Sequence, residues 1–231
     1  MLQLKDKKIR LFFYIFLLMF LSTINLNFNK DHNFSVLGLK KISVNGLSNL
    51  ENLKIEKNLN SLLSQNIFFL KKKKITEILD QNNLIESSNI KKIYPDLLII
   101  NIIKTNFLAV KNFKNEKFII ASNGKLVSYN DVNFLPEKLP FIFGKVSNDN
   151  FIKLKKIIDE SKFEYKDIKA FYFYPSNRVD IKIKDDILVK LPHNNLQEAL
   201  RVANLIKKDD KFKNNKTFDL RIPNHIIVSN E

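Results

Sequence analysis

Residues Leu11 to Phe28, LFFYIFLLMFLSTINLNF, carry no charge and follow directly on Lys5, Lys7, Lys8 and Arg10. A helix takes about 20 apolar residues to cross a hydrocarbon core, and only a helix satisfies its own backbone there. With Ile9 counted in, the stretch is just long enough, although Ser22, Thr23, Asn25 and Asn27 weaken its second half. It predicts a single transmembrane helix over 11–28. Basic flanks stay inside, so residues 1–10 become a cytoplasmic tail and everything after Phe28 is exported. A cleaved signal peptide shares the basic start and the apolar run. It asks for small residues in an A-x-A-like pattern, and Ser22-Thr23-Ile24-Asn25 offers none. A helix packed on a soluble core would turn a polar face to water, which the segment lacks.

About 200 residues remain, enough for one or two domains, and a hydrophobic fraction of 45% allows a proper core. There is no Cys, so neither disulfides nor thiol chemistry contribute. The formal net charge of +15 invites a nucleic-acid reading, but only Arg10, Arg178, Arg201 and Arg221 are Arg, the residue suited to bidentate phosphate recognition. Lys is spread along the chain, with one run at Lys71–Lys74. That pattern reads as solvated surface with some attraction to anionic membranes.

Along the exported body, Lys40-Lys41-Ile42-Ser43-Val44 alternates as a strand and ends at an Asn45-Gly46 turn. Ser48 and Glu51 match a capping box, and Ile55, Leu59, Leu62 and Leu63 follow at helical spacing. Ile75, Ile78 and Leu79 mark a second helix ending near Asn82-Asn83. Ser88–Tyr94, the Pro95-Asp96 turn and Leu97–Ile103 make a hairpin whose second strand is apolar on both faces, so it belongs inside a sheet. The order β-α-α-β-β is an α+β unit of domain size.

From Val110 the pattern turns to short strands. Phe118–Ala121 leads into Asn123-Gly124, a hairpin signal, and Leu126-Val127 continues it. Phe141–Gly144 follows an irregular, Pro-containing link. Phe151, Leu154, Ile157 and Ile158 space as a helix capped near Asn148–Asn150. Three strand candidates come next: Ile168–Tyr174, Val179–Lys184 and Ile187–Leu191. A helix over Leu196–Ile206, a polar loop over Lys207–Lys216, and strands at Phe218–Arg221 and Ile226–Val228 finish the chain.

Several of these stretches resemble one family. Ile93-Tyr94-Pro95-Asp96-Leu97-Leu98-Ile99 is similar to the R-x-x-P-x-x-L-x-I-x-V signature that closes a POTRA domain. Val189-Lys190-Leu191-Pro192 with Leu196 and Ala199-Leu200 resembles the V-K-L-P…A-L stretch of alphaproteobacterial FtsQ. Phe218-Asp219-Leu220-Arg221-Ile222-Pro223-Asn224 resembles that family's V-D-L-R-L-P-D, and Phe118–Ala121 with Asn123-Gly124 its L-I-D-x-x-G hairpin. Order and spacing are kept over nearly the whole chain. The sequence departs from the pattern at Lys104–Ala109, where E-R-x-P-V-A is usual. It departs again at Ala121, where Asp is usual, and at Asp185-Asp186, where a Gly turn is usual.

The resemblance implies an α+β fold: one transmembrane helix, a POTRA domain over 34–109, and a mixed, mainly antiparallel β-domain with two helices over 110–231. It places the domain junction near Ala109–Lys111. It also implies a non-enzymatic scaffold of the bacterial divisome in the inner membrane at the division septum, with its body in the periplasm. Such scaffolds link early division proteins to late ones and bind FtsB and FtsL. Carried over, the FtsB contact falls on Arg221 and Ile222 at the end of one strand and on Ile226, Ile227 and Val228 in the last. A terminal strand has one open edge that an extended partner can pair with, and Arg221 could hold a partner carboxylate. The bland alternative is an Arg221 salt bridge within the domain and an Ile226–Val228 that is ordinary core.

No catalytic constellation, nucleophile elbow or phosphate-cradling Gly loop occurs, and only four Gly exist. No cofactor is implied. His32, His193 and His225 are far apart and lack metal-ligand spacing. Asp180, Asp185 and Asp186 read as a solvated cluster at a hairpin turn. In Phe171-Tyr172-Phe173-Tyr174 the Phe pair reads as core and the Tyr pair as more exposed, with a partner surface as the second reading. Two other functions stay in play: a membrane-anchored peptidoglycan enzyme, against which the missing catalytic set argues, and a POTRA protein of envelope assembly or secretion. The latter predicts several POTRA repeats and a downstream transmembrane barrel.

Overall fold

The structure, a computed structural model, describes residues 7–23, 38–132, 138–212 and 214–230. Its first helix, α1, spans Lys7–Thr23. It begins inside the basic flank, ahead of the expected span, and Ile24–Phe28 of that span lie outside the described residues. No helix among the described residues is long and apolar enough to cross a membrane.

The next unit runs β1 (Lys41–Asn45), α2 (Asn49–Leu59), α3 (Lys72–Leu79), β2 (Ile85–Ile93) and β3 (Leu97–Lys104), the β-α-α-β-β order expected. The sheet order is β1-β3-β2, with β3 parallel to β1 and antiparallel to β2. The central place of β3 follows from its composition: a strand with two neighbours loses the most water. Only one face is fully covered, though. Leu98, Ile100 and Ile102 point into the core, whereas Ile103 is exposed. The Ser48–Glu51 capping box is present, with Ser48 Oγ accepting from the Glu51 amide and the Glu51 carboxylate accepting from the Ser48 amide. The helix gives way after Leu59 to a 3-10 turn over Asn60–Leu62, so Leu63 falls beyond it and is only half-buried. Ile55, Leu59, Ile75 and Leu79 from the helices cover the inner face of β3. Each such buried side chain contributes about 1.5–3 kcal/mol.

The second unit comprises β4 (Phe107–Phe113), β5 (Glu116–Ala121), β6 (Leu126–Ser128), β7 (Phe141–Phe143), α4 (Asn148–Glu160), β8 (Ile168–Phe173), β9 (Val179–Ile183), β10 (Leu188–Lys190), α5 (Leu196–Ile206), β11 (Thr217–Asp219) and β12 (Ile227–Ser229). They form one nine-stranded sheet in the order β12-β11-β10-β9-β8-β7-β4-β5-β6. The β4–β7, β7–β8 and β10–β11 pairs are parallel and the other five antiparallel, which fits a mixed, mainly antiparallel domain. Helices α4 and α5 cover one face through Phe151, Leu154, Ile158, Leu200 and Ala203, which meet Phe171, Ile181 and Val189. The cap of α4 is Ser147, whose Oγ accepts from the Asn150 amide at 3.2 Å, rather than Asn148–Asn150. Asn148 instead donates its side-chain amide to the Gly124 carbonyl at 3.0 Å.

Both units share one local device. β1 and β7 each run parallel to a neighbour and end at a glycine with positive φ, Gly46 and Gly144. A Cβ there would overlap the carbonyl of Ile102 or of Phe173. A serine-capped helix follows each. Only glycine tolerates both the φ and the contact.

The change of sheet falls at Thr105-Asn106, between β3 and β4; Ala109–Lys111, where the junction was expected, lie inside β4. The two units are clamped together. The Glu86 carboxylate accepts from Thr105 Oγ1 at 2.9 Å and from Ser122 Oγ at 2.7 Å. Asn123 Nδ2 donates to the carbonyls of Asn83 (3.0 Å) and Ile85 (2.8 Å). Asn83 Nδ2 donates to Leu126 O at 2.8 Å, and Lys125 Nζ to Asp80 O at 2.7 Å. Leu84 and Phe107 pack on Ile119, Ala121 and Val127 beneath these bonds. The Asn123-Gly124 turn thus does more than reverse the chain: it is the face the second unit presents to the first.

Candidate functional site

The carried-over residues lie at one end of the nine-stranded sheet. β12 pairs antiparallel with β11, and no strand lies beyond it among the described residues. Ile227 and Val228 are 50% and 40% exposed, so this segment is not ordinary core. Arg221, Ile222 and Ile226 are placed differently from expectation, for they lie in the connection between β11 and β12 rather than in either strand. The cause is local. His225 N bonds to Ile222 O at 3.2 Å, closing a turn with Pro223 at its second position and Asn224 at positive φ in its third. That is the geometry of a type II turn, for which Pro then Asn is suited. A strand cannot run through it.

Arg221 grips Asp219, its Nε lying 2.7 and 2.9 Å from the two carboxylate oxygens and its Nη2 bonded to Oδ2. The Asp219 carboxylate also accepts from the Arg221 amide at 3.1 Å. These hydrogen bonds hold the Asp219 carboxyl below the usual carboxylate range, outweighing burial. The within-domain salt bridge weighed for Arg221 therefore exists. It holds the guanidinium at the mouth of the β11–β12 turn while leaving the side chain partly open.

Beside this turn lies a groove of about 560 Å³ between the start of α5 and the turn, walled by Pro192, Ala199, Val202, Leu220, Ile222 and Ile226. His193 and His225, far apart in sequence, both face it, and each Nδ1 sits near a backbone carbonyl, of Asn177 and of Pro223. Among the described residues no group of three or more His, Asp or Glu side chains is arranged to hold a metal ion.

Asp180 is not part of a solvated acidic cluster. It is fully buried on β9, with Arg178 Nε 3.3 Å from Oδ1 but out of line for a hydrogen bond. Burial pushes its carboxyl above the usual range, partly offset by Arg178 and Tyr174. Its neighbours across the sheet are Tyr172 and Lys190, and Lys190 in turn lies opposite Asp219. A polar row thus crosses the sheet toward β12. Asp185 and Asp186 do lie at a turn, where Asp186 pairs with Lys169 and Lys182. The aromatic run divides as its alternation implies: Phe171 is buried, Phe173 packs against the core, and Tyr174 is exposed under the Arg178 guanidinium. Sequence reasoning weighed a salt bridge for Arg221 but did not name Asp219 as its partner, and it missed the groove. That partner had a signal in Asp-Leu-Arg, since residues two apart leave an extended chain on the same side. The groove had none.

Two family models divide the chain as the two sheets do. The family model described as "POTRA domain, FtsQ-type" matches residues 37–104, and that described as "Cell division protein FtsQ/DivIB, C-terminal" matches residues 109–221. Cell division protein FtsQ of Rickettsia felis is 25% identical over 192 residues, 82% of this chain and 71% of the relative. FtsQ of Rickettsia prowazekii is 27% identical over 197 residues, with the same shares. Among solved structures, the major extracytoplasmic domain of DivIB from Geobacillus stearothermophilus aligns with 42% of this chain and 86% of its own, at TM-score 0.32 and 14% identity. With the two models flanking the change of sheet and together matching residues 37–104 and 109–221, the chain belongs to the FtsQ/DivIB family of cell division proteins.

Proposed function

We propose that the chain is a non-enzymatic scaffold of the divisome, tethered to the inner membrane by α1 and the residues after it, with its body in the periplasm. In this reading β12 receives an extended segment of FtsB, itself paired with FtsL, by strand addition. The observation that carries it is the exposed β12 edge beside a groove lined by both apolar and polar side chains. An open edge strand offers main-chain groups for pairing, and a neighbouring groove supplies side-chain selectivity. Arg221, fixed by Asp219, is positioned to meet an acidic residue of the partner. The basic flank at Lys7, Lys8 and Arg10 supports an inside N-terminus.

Truncation before Ile226 and Arg221→Glu are each expected to abolish co-purification with FtsB from membranes, while the truncated body keeps the circular dichroism of the full chain. Retention of FtsB by both variants overturns the reading. A fluorescent fusion should mark midcell before constriction.

A further inference from the structure

The first unit carries an exposed aromatic and basic turn that the partner-binding reading does not use. Phe68 and Phe69 stand between Ile67 and Leu70, both buried in the core. These two pegs fix the turn and force the Phe pair outward. Phe69 is 82% exposed, and Phe68 stacks on the exposed Tyr94 ring at 4.3 Å. Lys71, Lys72, Lys73 and Lys74 follow, all exposed, and Lys92 reaches across to the Phe68 carbonyl. The lysines open α3, whose first turn has no acidic residue. Cations at a helix N-terminus oppose its dipole, so local stability does not account for them. A cleft of about 440 Å³ lies between Phe69 and the Lys71 and Lys74 side chains.

The position of this turn names its occupant. The chain coming from α1 joins the domain at Gly38 and Leu39, and there it pairs directly with the same turn. Gly38 bridges to Asn66, Leu39 N bonds to Gln65 O and Ser64 N to Leu39 O, both at 2.9 Å. Residues 24–37 alone separate the end of α1 from that point, a reach of at most about 50 Å. The second unit departs from the other end of β3, beyond Lys104. The aromatic turn therefore sits at the end of the domain nearest the stem.

We infer that Phe68, Phe69 and Lys71–Lys74 form a second, peripheral membrane contact: the rings enter the interface of the bilayer and the lysines meet anionic headgroups. The contact sets how the body stands on the membrane. This inference rests on α1 belonging to the membrane stem.

The chain contains no Trp, so a single introduced indole reports its own surroundings. The full chain is reconstituted in vesicles of phosphatidylethanolamine and phosphatidylglycerol containing brominated lipids. Phe69→Trp is expected to be quenched by shallow bromines at least about twofold more than Phe113→Trp, an exposed position on the second unit. Replacing Lys71–Lys74 by Gln, or phosphatidylglycerol by phosphatidylcholine, should bring Phe69→Trp down to the Phe113→Trp level. Phe16→Trp reports the stem separately, through quenching by deep bromines. Unquenched Phe69→Trp overturns the membrane contact whatever Phe16→Trp shows, and unquenched Phe16→Trp overturns the stem. A blue-shifted but unquenched Phe69→Trp places the ring against a second copy of the chain and also overturns the contact.

Discussion

The nine-stranded sheet ends in two strands of equal length and opposite fate. β6 and β12 each hold three residues with a valine in the middle, Val127 and Val228. Val127 is 4% exposed, and the edge around it is occupied: Asn83 donates to Leu126 O, and Leu84 packs beside it from the first unit. Val228 is 40% exposed with no strand beyond it among the described residues. Open edges are a hazard that folded chains cover, charge or use. This chain covers one edge with its own first domain and leaves on the other a strand rich in Ile and Val, carrying no charge. The contrast supports reading β12 as the edge kept for another molecule.

The same substitution at the two valines probes the contrast most strongly. Val127→Asp would place a carboxylate among the buried apolar side chains of Ile119 and Ala121, and should cost at least about 3 kcal/mol in chemical denaturation. Val228→Asp should stay within about 0.5 kcal/mol of the parent yet release FtsB in co-purification. Equal stability losses would erase the distinction between the edges. Next in size is the clamp. Glu86→Ala removes the shared acceptor of Thr105 and Ser122, and Thr105 is buried, so a loss of about 1–2 kcal/mol follows. Hydrogen exchange should rise at residues 122–126 and stay unchanged in β11 and β12; a rise at both ends means the clamp is not local.

The smallest effect is at the open edge itself. The Asp219 carboxyl lies below its ordinary range because Arg221 bonds to it. A depressed carboxylate stabilises the fold above the unfolded value near pH 4 and loses that contribution as pH falls through the folded one. The pair is partly exposed, so it is worth less than about 1 kcal/mol. NMR titration should find Asp219 below the usual range, and Arg221→Gln should move it back up. An unmoved Asp219 would show that the grip does not set its charge.

Local signals in the sequence carried most of the fold. Periodicity located the helices through Ile55, Leu59, Phe151 and Leu154, the Ser48–Glu51 box opened α2, and Asn123-Gly124 turned the β5–β6 hairpin. What was illegible was any pairing fixed only when distant segments meet. Asp180 looks solvated beside Asp185 and Asp186 until the sheet closes over it. Asp167 gives no hint of being buried, with Lys184 on one of its carboxylate oxygens and Lys207 on the other. Glu86 and Ser122 are 36 residues apart. At the candidate site, the edge position of β12 was legible from its being last. The Pro223-Asn224 pair is a turn signal that the expected strand bounds did not use, and it takes Arg221, Ile222 and Ile226 out of the strands. The groove was not, since Val202 and Ile226 share no sequence neighbourhood.

The passage from β3 to β4 takes only Thr105 and Asn106, and the clamp closes over both of its sides. A tug applied at the closing strand would find no loose tether to stretch in the middle of the body. It would travel as load along β3 to β1, in register beside it, and so to Gly38 and whatever holds the chain at its start. Displacement at that strand would then be passed on to the root rather than absorbed midway.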